Sequence, residues 1–304
     1  MNFNIIAVSI AFLSFSLFSI MNASNKYVLT NSLVNPYIYF VGIGVFQLMW
    51  VIIIGYSFFR ASFFKVHNKK VVMLRALILV INVASTTFAV SYLPLDIFYS
   101  IVFIMPLLAT IMARIFLKES ITKISLMAIG IGFLGTMIVI KPVFSNKLEV
   151  IGVVLCLITA ITGVLSGIIG RKYLKAENPF SVSLYTAMFV GLAGFIVNSA
   201  TMIDNFSVVE LVNNIKATQS SGFWLLLVSS FCSIVASSLY LKAYQKGEVK
   251  FVAPMQYIQI IWGTAFGYFL FADVPQITTI IGVIVIIFAN IINNKTNSFK
   301  KVTK

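Results

Sequence analysis

Two glutamines three residues apart, Gln256 and Gln259, stand inside the apolar run APMQYIQIIWGTAFGYFLFADVP, residues 253–275. Each side-chain amide carries two donors and two acceptor lone pairs. Left unpaired in hydrocarbon, such groups cost on the order of several kcal/mol. The pair must therefore bond neighbouring helices or face a wet cavity. Helical spacing puts Gln256, Gln259, Gly263 and Gly267 on one face. The chemistry open to that face is recognition, hydrogen bonding to polar groups of a solute, while the glycines allow close helix packing.

Similar stripes recur elsewhere: Ser19, Asn22 and Lys26; Asn82, Ser85, Thr86 and Ala89; Thr159, Thr162, Ser166 and Gly170; Ser229, Ser233, Ser237 and Tyr240. They supply Asn22, Asn82, Ser85, Ser166 and Ser237 as further candidate solute contacts. Tyr99, Tyr257 and Trp262 lie deep in apolar runs and suit walls that stack on a flat organic solute. A structural reading stands beside each functional one. Serine and threonine bond the carbonyl one turn back, and asparagine and glutamine tie helices together.

Bond-breaking chemistry finds no support. His67, the single histidine, sits among Lys65, Lys69 and Lys70, and Cys156 and Cys232 fall inside apolar runs. Neither a metal cluster, a cofactor nor a nucleophile–base pair is expected. Glu119 and Asp273 close two apolar runs at opposite membrane faces, too far apart for paired acid–base work. They read as caps of loops or helix ends, with gating as the alternative. Pro106 and Pro254 interrupt their helices, as fixed kinks or as hinges. A proton relay would show an acid or histidine mid-span; Asp96, at the outer end of the fourth run, comes nearest. The leading expectation is a transporter of small organic metabolites. The alternatives are a non-transporting membrane scaffold and, more remotely, a membrane-embedded enzyme.

The elements that must position these residues follow from composition. With 60% hydrophobic and 10% charged residues and a mean hydropathy of +1.02, the chain reads as an all-α polytopic membrane protein. Ten transmembrane helices are expected, over 3–24, 36–58, 72–92, 96–117, 123–141, 149–170, 180–200, 222–242, 251–271 and 276–293. The MNFN start lacks a basic signal-peptide region, so the first run is expected to remain as a helix. Residues 294–304 read as a basic cytoplasmic tail. The net charge of +14 sits in short loops, which speaks for topology and against nucleic-acid binding. One side collects 18 basic residues: Arg60, Lys65, Lys69, Lys70, Arg75, Arg114, Lys118, Lys123, Arg171, Lys172, Lys175, Lys242, Lys246, Lys250, Lys295, Lys300, Lys301 and Lys304. The other side holds 4: Lys26, Lys141, Lys147 and Lys216. That split predicts a multi-pass protein of the plasma (inner) membrane with both termini cytoplasmic.

Sliding the chain by 154 residues lays Ala109 on Gly263, Ala113 on Gly267, Glu119 on Asp273 and Ala89 on Ala243. Two five-helix repeats are therefore expected, 1–145 and 146–293. An odd helix number inverts the second repeat relative to the first, the architecture that alternating access through a central cavity uses. Spans 5 and 10 are nearly all apolar, with no ionisable residue inside, and should face lipid or a partner, including a second copy of the chain.

The segments FAVSYLPLDIFYSIVFIMPLLATIMARIFLKESIT (88–122) and YLKAYQKGEVKFVAPMQYIQIIWGTAFGYFLFADVPQITTIIG (240–282), with Arg75 opening span 3, carry a resemblance. They are similar to the drug/metabolite transporter superfamily, specifically its EamA-type ten-helix permeases. The shared pattern is an aromatic or apolar residue, Ala, then Tyr-Leu-Pro, a proline in span 4, and an acidic residue closing spans 4 and 9. The chain departs from it with Asp273 in place of the usual glutamate and Gln47 where span 2 often has arginine. The resemblance implies solutes of the amino acid, nucleoside derivative, vitamin or S-adenosylmethionine class.

Overall fold

The computed structural model describes residues 3–31, 36–59, 65–93, 95–119, 122–139, 147–201, 220–272 and 277–299. All regular structure among them is helical: α1 (Phe3–Asn31), α2 (Pro36–Phe59), α3 (Lys69–Tyr92), α4 (Leu95–Val102), α5 (Met105–Leu117), α6 (Lys123–Val139), α7 (Lys147–Tyr173), α8 (Pro179–Thr201), α9 (Ser220–Lys246), the single turn α10 (Val249–Val252), α11 (Ile258–Phe271) and α12 (Ile277–Phe299). A 3₁₀ turn, Ala253–Tyr257, joins α10 to α11. Among the described residues six helices, α1, α2, α3, α7, α8 and α9, are long and apolar enough to cross a bilayer. The chain is a multi-pass α-helical membrane protein.

The runs 96–117 and 251–271, expected as unbroken helices, are each in pieces. Pro106 has no N–H to return to Val102, so the ladder stops there. Phe103 N still bonds Tyr99 O at 2.9 Å, but Ile104 N shortens its reach to Ile101 O at 3.1 Å. Pro254 sits at the start of the 3₁₀ turn in the second run. Both pieces end alike. Lys118 and Ala272 adopt φ 55°, and no other non-glycine residue among those described has positive φ. Their N–H groups cap Ala113 O and Gly267 O. Each of these two pairs of positions is separated by the same 154 residues as the sequence matches.

Packing follows the same exchange. α1 lies along α9 and α3 along α7; α3 meets α8 and α9 meets α2; α5 meets α7 and α11 meets α1. α2 crosses α8, and α6 lies against α12. Exchanging α1 with α7, α2 with α8, α3 with α9, α4–α5 with α10–α11 and α6 with α12 turns this pattern into itself. Cations repeat the theme at helix C-termini, where carbonyls carry partial negative charge. Lys26 Nζ on α1 donates to Leu93 O at 2.8 Å, after α3. Arg171 Nη1 on α7 donates to Gln245 O at 3.5 Å, near the end of α9.

Where α2 crosses α8 the backbones touch: a Cβ built on Gly44 would lie 2.5 Å from Gly191 Cα. At one end of the bundle the α7–α8 turn is tied to the start of α3. Glu177, buried, accepts from His67 N at 2.9 Å and Asn68 N at 2.8 Å, and Gln245 Nε2 donates to Glu177 O at 3.0 Å. Glu177→Ala should strand both amides and lower stability by about 1–3 kcal/mol. A melting temperature in detergent indistinguishable from that of the parent protein would refute this account of the tie.

Candidate functional site

Helices α1, α2, α3, α7 and α9, with α4, the start of α5 and the broken segment before α11, surround one cavity of about 810 Å³ including its open mouth. Six of the sequence-selected contacts line it: Asn22, Asn82, Ser166, Ser237, Gln256 and Gln259. Phe15, Phe18, Ile43 and Phe98 give it apolar walls. The balance suits an organic solute, since small-molecule sites are mostly apolar with a few placed polar groups.

The polar groups differ in how far they are spoken for. Asn82 Nδ2 donates to Thr159 O at 2.8 Å and Thr162 Oγ1 at 3.0 Å, joining α3 to α7. Gln256, buried, points Nε2 at the Met105 thioether at 2.9 Å, a weak acceptor. Asn22 Oδ1 and Ser166 Oγ are buried and have no hydrogen-bond partner.

Four selected residues lie away from the cavity lining. Ser85 Oγ donates to Ile81 O at 2.7 Å, one turn back, and meets Thr159 Oγ1 at 2.9 Å. Tyr99 fills the space beside Gly263, where a Cβ would meet its ring at 2.4 Å, and its hydroxyl has no partner. Tyr257 turns its hydroxyl towards Gly132 on α6. Trp262 stacks on Phe266 and donates Nε1 to Ser16 Oγ at 3.0 Å. Gly267 is buried and supplies the carbonyl that caps α11. Asp273 lies outside the described residues, as does the side chain of Asp96.

Residues 150–294 match the EamA-like transporter family. Over 222 residues the chain is 26% identical to an S-adenosylmethionine uptake transporter of Rickettsia felis, covering 72% of this chain and 69% of that one. It is 25% identical over 233 residues to a riboflavin transporter of Brucella anthropi, covering 76% and 77%. The family likeness thus rests on the second half of the chain, residues 150–294. A solved crystal structure shares the fold at 12% identity, with a TM-score of 0.67 over 94% of this chain and 95% of that one.

Arg75 is a charged lining residue that the sequence stripes did not select. Placed by the sequence at the start of span 3 on the basic side, it is 1% exposed and faces the cavity. The reason is coverage: α3 packs against α7 and α8, and Val72 in its first turn joins a buried cluster with Leu174, Val182 and Leu241, which a hydropathy profile cannot reveal. Arg75 Nε donates to Ser166 O at 3.3 Å. Both terminal nitrogens, Nη1 and Nη2, lack partners. Gln47, Asn25, Ser233 and Tyr240 also line the cavity. Gln47 Nε2 donates to Ser233 Oγ at 2.8 Å, and Asn25 Oδ1 accepts from Tyr39 and Ser229. Asn25, one turn beyond Asn22, was legible from helical spacing.

Glu119, beyond the end of α5, lies 3.6 Å from Arg171 Nε, and its Oε2 has no partner. Burial raises its carboxyl above the usual range, against the opposing pull of Arg171. A carboxyl raised in the folded state contributes stability that is complete below its unfolded value and lost as pH climbs through the folded one. Glu119→Gln, neutral throughout, should therefore gain in melting temperature relative to the parent over the pH interval that opens at the ordinary glutamate value, about 4.3, and runs upward. A relative loss over that interval would mean that the Arg171 pairing outweighs burial.

Proposed function

We propose that the chain is a small-solute permease that works by alternating access around this cavity. The observation that carries the reading is a mostly apolar cavity between the two halves, lined by Asn22, Asn82, Gln256 and Gln259. Two inverted five-helix repeats, ten spans in all, would supply the rocking halves. Support comes from the exchange-symmetric packing and from the left-handed caps at Lys118 and Ala272. In this reading the interrupted segments at Pro106 and Pro254 are where the halves flex. Glu119 with Arg171 latches one end of the cavity, and Asp273 does the corresponding work at the other.

Without the buried Arg75 the two sides hold 17 basic residues against 4, so the reading keeps both termini cytoplasmic in a plasma (inner) membrane. The outer faces of α6 and α12 are apolar, with Met127, Leu134, Ile284 and Phe288 exposed, and are assigned to lipid or to a second copy of the chain. Solutes are drawn from the class spanned by the relatives: S-adenosylmethionine, riboflavin, and related amino-acid or nucleoside derivatives.

Purified protein in liposomes, offered labelled S-adenosylmethionine and riboflavin for uptake and counterflow, tests the proposal. Saturable movement of either solute supports it. Folded protein that moves neither these nor a wider panel of amino acids, nucleosides and vitamins would favour a membrane scaffold.

A further inference from the structure

We infer that Arg75 is the anchor for a carboxylate of the transported solute. The inference rests on the permease reading and adds the charge class of its substrate. Arg75 is buried at 1% exposure, lines the cavity, and leaves both terminal nitrogens without a partner. Its Nε bond to Ser166 O at 3.3 Å holds the side chain between α3 and α7. Beside it Ser166 Oγ, also buried and lining the cavity, has no partner either. Leaving a buried guanidinium half-paired is costly unless something else completes it. The planar fork of two free N–H faces matches a carboxylate in bidentate geometry.

Charge balance favours a carboxylate over a phosphate ester. Among the described residues that line the cavity, Arg75 carries the single formal charge. One carboxylate neutralises it, whereas a phosphate monoester, close to doubly charged near neutral pH, would leave a buried negative charge. The remaining donors, the Gln256 and Gln259 amides, are neutral and serve the rest of the solute.

The test uses the full chain, purified and reconstituted, with probes that differ only at the acid group. S-adenosylmethionine is compared with its decarboxylated counterpart, and riboflavin with riboflavin monophosphate, in binding and uptake. The parent protein should prefer S-adenosylmethionine over the decarboxylated form by about ten- to hundred-fold, the range of one charge-assisted bidentate contact. Arg75→Gln should collapse that ratio towards one, and Arg75→Lys should leave it intermediate. Three results overturn the inference: no preference in the parent, a ratio that survives Arg75→Gln, or a stronger preference for the phosphate ester. An arginine that merely ties α3 to α7 would weaken both probes alike and leave the ratio intact. Parent protein that carries riboflavin but no carboxylate refutes this inference alone, and parent protein that carries nothing refutes the permease reading beneath it.

Discussion

Gly44→Leu is expected to abolish recovery of folded protein, and Gly44→Ala to lower its stability markedly. The first atom of any side chain at 44 meets backbone rather than a movable side chain. A Cβ there would lie 2.5 Å from Gly191 Cα and 2.7 Å from Gly191 N. Relief requires α2 and α8 to separate, and these helices stand at the centre of the exchange-symmetric packing. Overpacking a close-packed site costs about 1–3 kcal/mol, and more where backbone must move. The contact is unequal from the two sides, which sharpens the test. A Cβ on Gly191 meets a Leu48 methyl at 3.3 Å and Gly44 backbone only at 3.6 Å. Gly191→Ala should therefore be far milder than Gly44→Ala. Gly130, with nothing within 4 Å of its built Cβ, should accept alanine freely. Monodisperse yield and melting temperature in detergent order the three variants, and equal behaviour of Gly44→Ala and Gly130→Ala would refute the crossing.

The fold class was legible because hydrocarbon imposes a coarse rule, long apolar helices with basic loops, that composition carries directly. The breaks before α5 and α11 were half legible. Pro106 and Pro254 announce lost ladder bonds, but whether a proline bends or divides a helix depends on what packs against it. Within the cavity, periodicity served the amides well. Gln256 and Gln259 share one face, and residues at positions 257 and 262 point roughly 100° and 120° away from Gln256 at 100° per residue. The same period that selected the glutamines thus argued against Tyr257 and Trp262, which the structure turns towards Gly132 and Ser16. Ser85 shows the familiar ambiguity of a small hydroxyl, which here bonds its own helix. Arg75 was half legible. Its place opening span 3 carried part of the resemblance, but beside Lys69 and Lys70 nothing in the hydropathy pattern shows that the packing of α3 on α7 and α8 makes it interior.

Replacing both glutamines, Gln256→Leu with Gln259→Leu, is expected to reduce uptake about ten- to hundred-fold, the sum of two lost hydrogen bonds to a solute. The competing account, in which the amides only tie helices together, predicts instead a loss of folded protein. The surroundings of Gln256 separate the two. Its Nε2 meets a thioether, Met105 Sδ, at 2.9 Å, a far weaker partner than the carbonyl and hydroxyl that Asn82 bonds. A helix-tying amide would be expected to hold a better acceptor than that. Leucine is close in volume and removes the buried polar group together with its desolvation cost, so melting should change little. Uptake should fall because the solute loses its donors. Ser125→Ala on α6, a helix that packs chiefly on α12, provides the reference and should leave uptake near that of the parent. If the double leucine variant transports as well as Ser125→Ala, the cavity map is wrong. If it fails to fold while Asn82→Leu folds, the glutamines are the structural pair and the recognition belongs elsewhere in the cavity.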